Sequence, residues 1–244
     1  AALIISVASV QAQKSQVIAH RGYWKTAGSA QNSITSLQKA DSIHCYGSEF
    51  DVWLAKDNKL VVNHDPVYKM KYMEYSKGDA LTGLKLSNGE NLPSLQKYLE
   101  AGKKCNTKLI LELKAHNSKK RETKAVQEIL AMVKKMGLED RMEYITFSLH
   151  AMKEFIRLAP AGTPVFYLNG ELSPKELKDL GAAGLDYHMG VIKKHPEWIK
   201  EAHDLGLKVN VWTVDKAEDM KWLIDQKVDF ITTNEPIVAQ DMLK

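Results

Sequence analysis

Short runs of β-branched and aliphatic residues alternate along the chain with longer segments whose apolar positions recur at helical spacing. Runs of the first kind are typical of buried strands, and segments of the second kind are typical of amphipathic helices. Eight runs predict strands, at 16–19, 48–52, 108–113, 143–147, 164–168, 184–187, 207–212 and 228–232. Helical spacing is clearest at 123–136, 173–180, 196–205 and 216–226. Strands that alternate with helices predict a parallel sheet.

Three of the predicted helices end at a glycine, namely Gly137, Gly181 and Gly206. Glycine can take the left-handed conformation that closes a helix before the next strand. Eight strand–helix units in a chain of this length match a closed barrel, whereas an open doubly wound sheet more often carries a glycine-rich fingerprint after its first strand. No such fingerprint follows 16–19. We therefore predict an α/β fold, a TIM (β/α)₈ barrel formed by residues 13–244 as one domain.

One long excursion interrupts this regular pattern. After the second strand, residues 53–62 are typical of a β-hairpin that turns at Asp57 and Asn58. Residues 65–107 then separate this hairpin from the third predicted strand. Long excursions at the carboxyl ends of barrel strands usually shape a substrate pocket, so we interpret 65–107 as a short insertion that caps the site.

Composition narrows the class of protein. The chain has 244 residues, of which 44% are hydrophobic and 26% are charged, and it has no continuous apolar run of membrane-spanning length. These values exclude a disordered or membrane-spanning class. The net charge of +4, from 34 basic and 30 acidic side chains, is too small to indicate a nucleic-acid partner. It slightly favours an anionic substrate.

The first residues form a short apolar stretch. Residues 1–12 end in Val10-Gln11-Ala12, which fits the small-residue rule before a signal-peptidase cleavage site. We interpret 1–12 as the remnant of a signal peptide and expect an exported protein, periplasmic or secreted; the alternative is a buried first strand or helix. Cys45 and Cys105 allow one disulfide bond in an oxidising compartment, or two buried free thiols.

Polar and charged side chains concentrate where the first predicted strands end. They are His20, Arg21, Glu49, Asp51, His64, Asp65, Glu112 and Lys114. Residues two apart in a strand point to the same side, so Glu49 and Asp51 project together. Three carboxylates, counting Glu112, can therefore converge, and a hard divalent cation such as Mg²⁺ or Ca²⁺ would offset their repulsion.

The remaining members of this group suggest phosphate chemistry. His20 and His64 precede and follow the first two carboxylates in the chain, as a general acid and a general base on two sides of a substrate would. Arg21 and Lys114 add positive charge suited to a phosphate. Each residue also has a structural alternative, because a histidine at a strand end is often structural and Lys114 can simply pair with Glu112.

The order of these residues resembles the signature of the glycerophosphodiester phosphodiesterase family, which is His-Arg, then Glu-x-Asp, then His-Asp. The segments that carry the resemblance are Val17-Ile18-Ala19-His20-Arg21-Gly22, Ser48-Glu49-Phe50-Asp51-Val52, Leu60-Val61-Val62-Asn63-His64-Asp65 and Leu111-Glu112-Leu113-Lys114. It continues at Leu92-Pro93-Ser94-Leu95, Val211-Trp212-Thr213-Val214 and Ile231-Thr232-Thr233-Asn234-Glu235-Pro236. The family fold is a TIM barrel, in agreement with the strand count.

The resemblance implies hydrolysis of small glycerophosphodiesters to glycerol 3-phosphate and an alcohol, with one divalent cation, Mg²⁺ or Ca²⁺. By the resemblance, the metal ligands are Glu49, Asp51 and Glu112, the acid–base pair is His20 and His64, and the phosphate contacts are Arg21 and Lys114. Trp212 is similar to the family's aromatic wall for the glycerol. From its position alone, Trp212 is equally well explained as a core residue that closes the seventh strand.

The chain departs from the family pattern at Gln31, where the family usually has glutamate. The amide removes a charge next to the metal site, so we expect cation affinity, cation choice or turnover to differ from those of relatives. His188 follows the sixth predicted strand and is a further candidate to line the pocket. The other histidines look like surface residues, namely His44, His116, His150, His195 and His203.

Two alternative functions remain open. One is a related barrel phospholipase of the phosphoinositide-cleaving or sphingomyelinase D type. The other is a catalytically silent phosphodiester-binding protein, which Gln31 suggests because it replaces the family's glutamate. The sequence shows no amphipathic segment rich in exposed aromatic residues, which favours a soluble substrate over a lipid. The helix faces indicate no oligomer interface.

Overall fold

The computed structural model describes residues 14–244, and the apolar stretch 1–12 lies outside the described residues. The strands of the described chain are β1 (Gln16–Ala19), β2 (Gly47–Leu54), β3 (Leu60–Val62), β4 (Val67–Tyr68), β5 (Lys71–Tyr72), β6 (Lys108–Leu113), β7 (Met142–Thr146), β8 (Val165–Tyr167), β9 (Gly184–His188), β10 (Lys208–Trp212) and β11 (Phe230–Thr233). The α-helices are α1 (Ile34–Ser42), α2 (Gly78–Thr82), α3 (Leu95–Gly102), α4 (Lys119–Met136), α5 (Leu149–Leu158), α6 (Pro174–Leu180), α7 (Met189–Lys194), α8 (Glu197–Asp204), α9 (Ala217–Asp225) and α10 (Pro236–Met242).

Eight parallel strands close into a barrel. Hydrogen bonds join neighbours in the order β1, β11, β10, β9, β8, β7, β6 and β2, and β2 pairs with β1 to close the ring. All eight runs that the hydrophobic pattern predicts are strands of this barrel, so the TIM-barrel prediction is confirmed. β3 adds to the sheet as an antiparallel partner of β2, as the hairpin pattern predicts.

The helices surround the barrel, and local sequence explains where several of them begin and end. Five of them start at a serine whose hydroxyl oxygen accepts a hydrogen bond from a backbone N–H of the first turn, namely α1, α3, α4, α5 and α6. Gly137 and Gly181 end α4 and α6 in the left-handed conformation, and Gly206 follows α8 with a φ of 72°. The three predicted glycine stops are confirmed.

The apolar core has two main layers that leave one end of the barrel for polar chemistry. The larger layer lies between the outer faces of the strands and the helices. Inside the barrel, a smaller cluster fills the space below the strand ends, and its buried members are Ile18, Ile110, Ile145, Phe166, Leu168 and Phe230. This interior cluster makes the barrel a packed core and not a pore. The polar side chains at the carboxyl ends of the strands therefore rest on tightly packed apolar residues.

The excursion after β3 has a small core of its own, built from Trp53, Val61, Met73, Leu81 and Leu92 among others. It contains the two-stranded hairpin β4–β5 and the short helix α2. Helix α3, which the sequence analysis placed inside the excursion, instead packs against α1 and α4 as part of the outer ring. The segment that stands outside the barrel is therefore 65–94, shorter than the predicted 65–107.

Two further expectations can be compared with the structure. Cys45 and Cys105 are buried free thiols, so the chain takes the second of the two alternatives. The expectation that no amphipathic segment is rich in exposed aromatic residues stays a prediction, although the excursion exposes two tyrosines, Tyr72 and Tyr75. Within the described chain, no helix is long and apolar enough to span a bilayer.

Candidate active site at the carboxyl ends of the barrel strands

Three buried carboxylates meet at the carboxyl ends of β2 and β6. In the parallel pairing of these strands, Asp51 lies beside Glu112, and Glu49 precedes Asp51 on the same face of β2. One oxygen from each carboxylate lies within 4.8 Å of the others. All three side chains are buried. The structure thus brings together the three residues that the sequence analysis selected as metal ligands.

The charges in this cluster are uneven. Burial, with the charges of Asp51 and Glu112, raises the pKa of Glu49 well above its ordinary value. Burial and the charge of Asp51 likewise raise the pKa of Glu112 to about 7. Burial also opposes ionisation of Asp51, but the positive charges of Lys114 and His64 lower the pKa of this carboxyl. Without a cation, burial and mutual repulsion therefore disfavour ionisation of Glu49 and Glu112 beside an ionised Asp51.

The donor set fits a hard divalent cation. Glu49 Oε1 is buried without a hydrogen bond, which is costly unless another charged group satisfies it. Lys114 Nζ lies 2.7 Å from Glu112 Oε1 and 3.3 Å from Asp51 Oδ1, and so supplies part of the compensating charge. Three carboxylates with no sulfur or imidazole ligand match the preference of Mg²⁺ and Ca²⁺ for oxygen.

Asn32 holds Asp51 in place, and the sequence analysis missed it. Its side-chain N–H donates to Asp51 Oδ2 at 2.9 Å, and its Oδ1 accepts from the Asp51 backbone N–H at 3.1 Å. Asn32 has a φ of 59°, a left-handed conformation that asparagine tolerates better than most residues. Asn32 lies in the motif Ala30-Gln31-Asn32-Ser33, from which the sequence analysis selected only Gln31.

A tight turn places Arg21 above the carboxylates. Arg21 and Gly22 have φ values of 56° and 75°, and a Cβ on Gly22 would lie 2.7 Å from a backbone carbon of Ser36. The turn directs the Arg21 backbone N–H to Glu49 Oε2 at 2.8 Å. The Arg21 guanidinium lies 3.8 Å from Asp51 Oδ2, and its buried Nε has no hydrogen bond.

Gln31 contacts the guanidinium. Arg21 Nη1 donates to Gln31 Oε1 at 2.7 Å, at the exposed edge of the site. The sequence analysis expected the missing charge at this position to act on the cation. In the structure its direct partner is Arg21, so a change at Gln31 acts first on the side chain suited to phosphate.

A chain of hydrogen bonds orients His20 at the end of β1. His20 Nδ1 lies 2.9 Å from Asn234 Oδ1, which also accepts from the Trp24 indole N–H at 2.9 Å. The amide of Asn234 is fixed because its backbone and side-chain N–H groups donate to Asp215 at 2.8 and 2.9 Å. Since the amide oxygen can only accept, His20 Nδ1 carries the hydrogen and Nε2 keeps its lone pair.

His20 Nε2 faces the carboxylates, 4.0 Å from Glu49 Oε2. Burial lowers the pKa of His20 to about 4, and the positive charge of Arg21 acts in the same direction. The ring is therefore neutral at physiological pH and able to accept a proton at Nε2. The sequence analysis quoted Asn234 within a motif but gave it no role, and it did not single out Asp215.

His64 lies in a more open environment beyond β3. Its Nδ1 donates to Asp65 Oδ1 at 2.8 Å, so a carboxylate compensates the positive charge of a protonated ring. The side chain of Asn63 fixes the following turn by donating to the Asp65 carbonyl at 2.7 Å. A cavity of about 440 Å³ is lined by His64 together with Trp24, Asn32 and others.

One of the histidines assigned to the surface has a structural role beside the site. His116 Nε2 accepts from the Leu54 backbone N–H at 2.9 Å, and its Nδ1 donates to the Lys114 carbonyl at 2.7 Å. The ring also packs against Trp53, with centroids 5.3 Å apart. The surface assignment is therefore wrong for His116, because its ring links the ends of β2 and β6 and fixes the backbone of Lys114.

Trp212 and His188 form an aromatic edge at the ends of β10 and β9. The Trp212 indole N–H donates to the Asp186 carbonyl at 2.9 Å, and the ring meets those of Phe147 and His188 edge-on. His188 Nδ1 accepts from the Gly190 N–H at 3.0 Å, which caps α7. In residues 14–244, no hydrogen bond or salt bridge joins His188 to the carboxylates or to the other two site histidines.

Comparison with known proteins agrees with this arrangement. The model of the glycerophosphoryl diester phosphodiesterase family matches residues 20–238. The chain is similar to a glycerophosphodiester phosphodiesterase from Parabacteroides distasonis, whose crystal structure matches with a TM-score of 0.93 at 52% identity over 95% of this chain and 97% of that one. It is 27% identical to a glycerophosphodiester phosphodiesterase from Caldanaerobacter subterraneus over 238 residues, or 91% of this chain and 95% of the relative.

A phosphodiesterase from Oleispira antarctica, solved in complex with the product sn-glycerol-3-phosphate, shares the fold with a TM-score of 0.80 at 22% identity. That match covers 93% of this chain and 96% of the other.

Proposed function

This chain belongs to the glycerophosphoryl diester phosphodiesterase family and is a phosphoric diester hydrolase, and we propose that it hydrolyses glycerophosphodiesters to glycerol 3-phosphate and an alcohol. The observation that carries the proposal is the buried cluster of Glu49, Asp51 and Glu112 with positive and imidazole groups around it. The Oleispira relative bound to sn-glycerol-3-phosphate supports the same product here.

We assign Glu49, Asp51 and Glu112 as ligands of one divalent cation, Mg²⁺ or Ca²⁺. Bound there, the cation would supply positive charge to the non-bridging oxygens of the phosphodiester. The buried Glu49 Oε1, which has no hydrogen bond, supports this assignment, since a cation would satisfy it. Asn32 keeps Asp51 oriented for this role through two hydrogen bonds.

Arg21 and Lys114 bind the phosphate. The Arg21 guanidinium is anchored from one side by Gln31 and lies close to Asp51, so its remaining N–H groups are available to an anionic ligand. Lys114 reaches the same region from β6 through its contacts with Glu112 and Asp51. Trp212, at the end of β10, would supply an apolar wall against which the glycerol carbons pack.

The two histidines divide the proton transfers. His20 acts as the general base, because its hydrogen bond to Asn234 leaves the Nε2 lone pair on the side of the carboxylates. The proton that it takes comes from the attacking oxygen. If that oxygen belongs to water, the product is glycerol 3-phosphate directly; if it belongs to the neighbouring glycerol hydroxyl, a cyclic phosphate forms first and water then opens it to glycerol 3-phosphate. His64 acts as the general acid for the leaving alkoxide, because Asp65 compensates its charge when the ring is protonated.

The test is release of glycerol 3-phosphate from glycerophosphocholine and glycerophosphoethanolamine, measured with added cation and again with chelator. We expect release that chelator abolishes and that falls about 100- to 10,000-fold in His20→Ala. His195→Ala is the matched control, because this partly exposed histidine pairs with Glu197 outside the site. Absence of release with cation supplied, or full activity in chelator, would overturn the proposal.

A further inference from the structure

Exposed apolar side chains are concentrated in one short segment of the excursion. Of the six large hydrophobic side chains exposed in residues 14–244, four lie between Val67 and Tyr75. Met70 is 94% exposed, Tyr75 59%, Tyr72 57% and Val67 37%. Val67 and Tyr72 are paired across the β4–β5 hairpin, and the rings of Tyr72 and Tyr75 meet at 6.2 Å. The four exposed residues therefore lie in one short segment, 67–75, and we call them the hairpin patch.

The turn that presents Met70 is strained. Lys69 and Met70 join β4 to β5, and both have left-handed backbones with φ values of 45° and 63°. Two-residue turns of this kind favour Asn-Gly, because residues with large side chains pay a steric penalty there. Packing of the Met70 side chain does not offset this steric penalty, because the side chain is almost fully exposed. Strain that packing does not offset is typical of residues kept for a functional contact.

Positive charge surrounds the hairpin patch. Lys69 and Lys71 flank Met70, and Lys77 follows Tyr75. None of these three lysines forms a salt bridge with any residue of the described chain. Three acids lie in the same stretch of chain, and each has a partner there: Glu74 accepts from the Asn117 backbone N–H at 3.2 Å, Asp65 pairs with His64, and Asp79 pairs with Lys59. Lys69 Nζ lies 5.6 Å from the centroid of the Tyr68 ring, so this lysine has an aromatic contact but no salt bridge. An apolar tip between lysines that form no salt bridge is complementary to a surface that is negative outside and apolar beneath.

The hairpin also adjoins the active site. It begins two residues after Asp65, and Tyr68, on the opposite face of β4 from Val67, lines the same cavity as His64. Tyr68 is fixed by donating its hydroxyl hydrogen to the Lys85 carbonyl at 3.0 Å. One face of the hairpin therefore borders the cavity while the other is turned to the outside.

We propose that the hairpin patch docks the protein on the surface of an anionic phospholipid bilayer. Met70 enters the boundary between head groups and acyl chains, Tyr72 and Tyr75 lie at head-group depth, and Lys69 and Lys71 contact lipid phosphates. Docking by this face places the entrance of the active-site cavity beside the membrane. The proposal does not depend on which phosphodiester the enzyme cleaves.

The test is co-sedimentation of the full chain with vesicles of phosphatidylcholine alone and of phosphatidylcholine mixed with phosphatidylglycerol. We expect binding to the mixed vesicles and much weaker binding to the neutral ones. Lys69→Gln with Lys71→Gln should weaken partition to the mixed vesicles about 30-fold, which corresponds to about 1 kcal/mol per lysine. Lys134→Gln with Lys135→Gln, at the far end of α4, removes the same charge and should leave binding unchanged.

A second variant separates docking from folding. Lys69→Asn with Met70→Gly installs the preferred turn sequence, so its thermal midpoint should rise while partition to mixed vesicles falls by about 10-fold or more. Its hydrolysis of a dissolved substrate should match that of the unmodified protein.

Three results would overturn the proposal. Wild-type protein that stays in the supernatant with both vesicles would leave a protein partner as the occupant of the hairpin patch. Equal binding to neutral and mixed vesicles would exclude the anionic surface. Hairpin variants that bind as wild type does, or control variants that lose as much, would exclude the hairpin as the docking element.

Discussion

Cation binding should strengthen steeply with rising pH, because the ligands must release protons first. In the cation-free protein the pKa of Glu112 is raised to about 7 by burial and by Asp51. At pH 5 only about 1% of this carboxyl is ionised, against about 90% at pH 8. Protonation of this group alone therefore makes cation affinity at pH 5 about 100-fold weaker than at pH 8, which is about 2.7 kcal/mol. The raised pKa of Glu49 acts in the same direction and makes the dependence steeper.

The raised pKa values of Glu49 and Glu112 also make the stability of the cation-free protein depend on pH. A carboxyl whose pKa is raised on folding stabilises the cation-free protein when the pH is below the ordinary pKa of that carboxyl. This stabilisation is lost as the pH rises towards the pKa that the carboxyl has in the folded protein. Cation-free protein should therefore lose stability between about pH 4.5 and pH 7, while saturating cation should oppose that loss. The increase in thermal midpoint caused by Mg²⁺ or Ca²⁺ should accordingly be larger at pH 8 than at pH 5.

Isothermal titration calorimetry with Mg²⁺ and with Ca²⁺ at both pH values measures the effect directly. Repeating each titration in buffers of different ionisation enthalpy counts the protons released. Glu112→Gln is the control, since it removes the titrating group and should give weaker binding with a shallower pH dependence. Equal affinity at pH 5 and pH 8, or tighter binding at pH 5, would refute the assignment of these carboxylates as the cation site.

Three further variants test the parts of the site that hold others in place. Asn32→Gly keeps the left-handed backbone but removes both hydrogen bonds to Asp51, so calorimetry should show cation affinity about 10- to 100-fold weaker; unchanged affinity would contradict its role. Asn234→Ala frees the His20 ring and should lower kcat about 100-fold with little change in KM; a change in KM alone would exclude positioning. Gln31→Glu places a second carboxylate, besides Asp51, next to the Arg21 guanidinium, so it should raise KM while cation affinity stays constant. A change in cation affinity with constant KM would show instead that residue 31 acts directly on the cation.

The barrel and the carboxylate cluster could be predicted from the sequence because both follow from local periodicity. Alternation along β2 puts Glu49 and Asp51 on one side whatever the rest of the fold does. Parallel strands bring their carboxyl ends together, which is enough to draw Glu112 to the same point. The three carboxylates also lie in strongly apolar strands, where a charged side chain is unexpected and therefore informative.

The supporting residues could not be predicted, because their roles depend on contacts between distant segments. Asn32 matters through Asp51, and Asn234 matters through both His20 and Asp215, none of which has a local signal. The assignment of His116 to the surface failed for the same reason, since its partner Leu54 is on another strand.

Short, irregular elements account for the remaining differences. The hairpin β4–β5 has only two residues in each strand and a turn without the preferred Asn-Gly, so no periodic pattern marks it. Its exposed tyrosines could not be distinguished in the sequence from tyrosines that are buried, such as Tyr98.

The central claim is that His20 and His64 divide the base and acid roles at this site. It is tested most directly by comparing the rates of wild type, His20→Ala and His64→Ala on glycerophosphocholine and on a glycerophosphodiester with a p-nitrophenol leaving group. Nitrophenolate departs without protonation, so we expect His64→Ala to be slow only with glycerophosphocholine and His20→Ala to be slow with both substrates. Equal losses for His64→Ala on both substrates, or wild-type rates in either variant, would contradict the account.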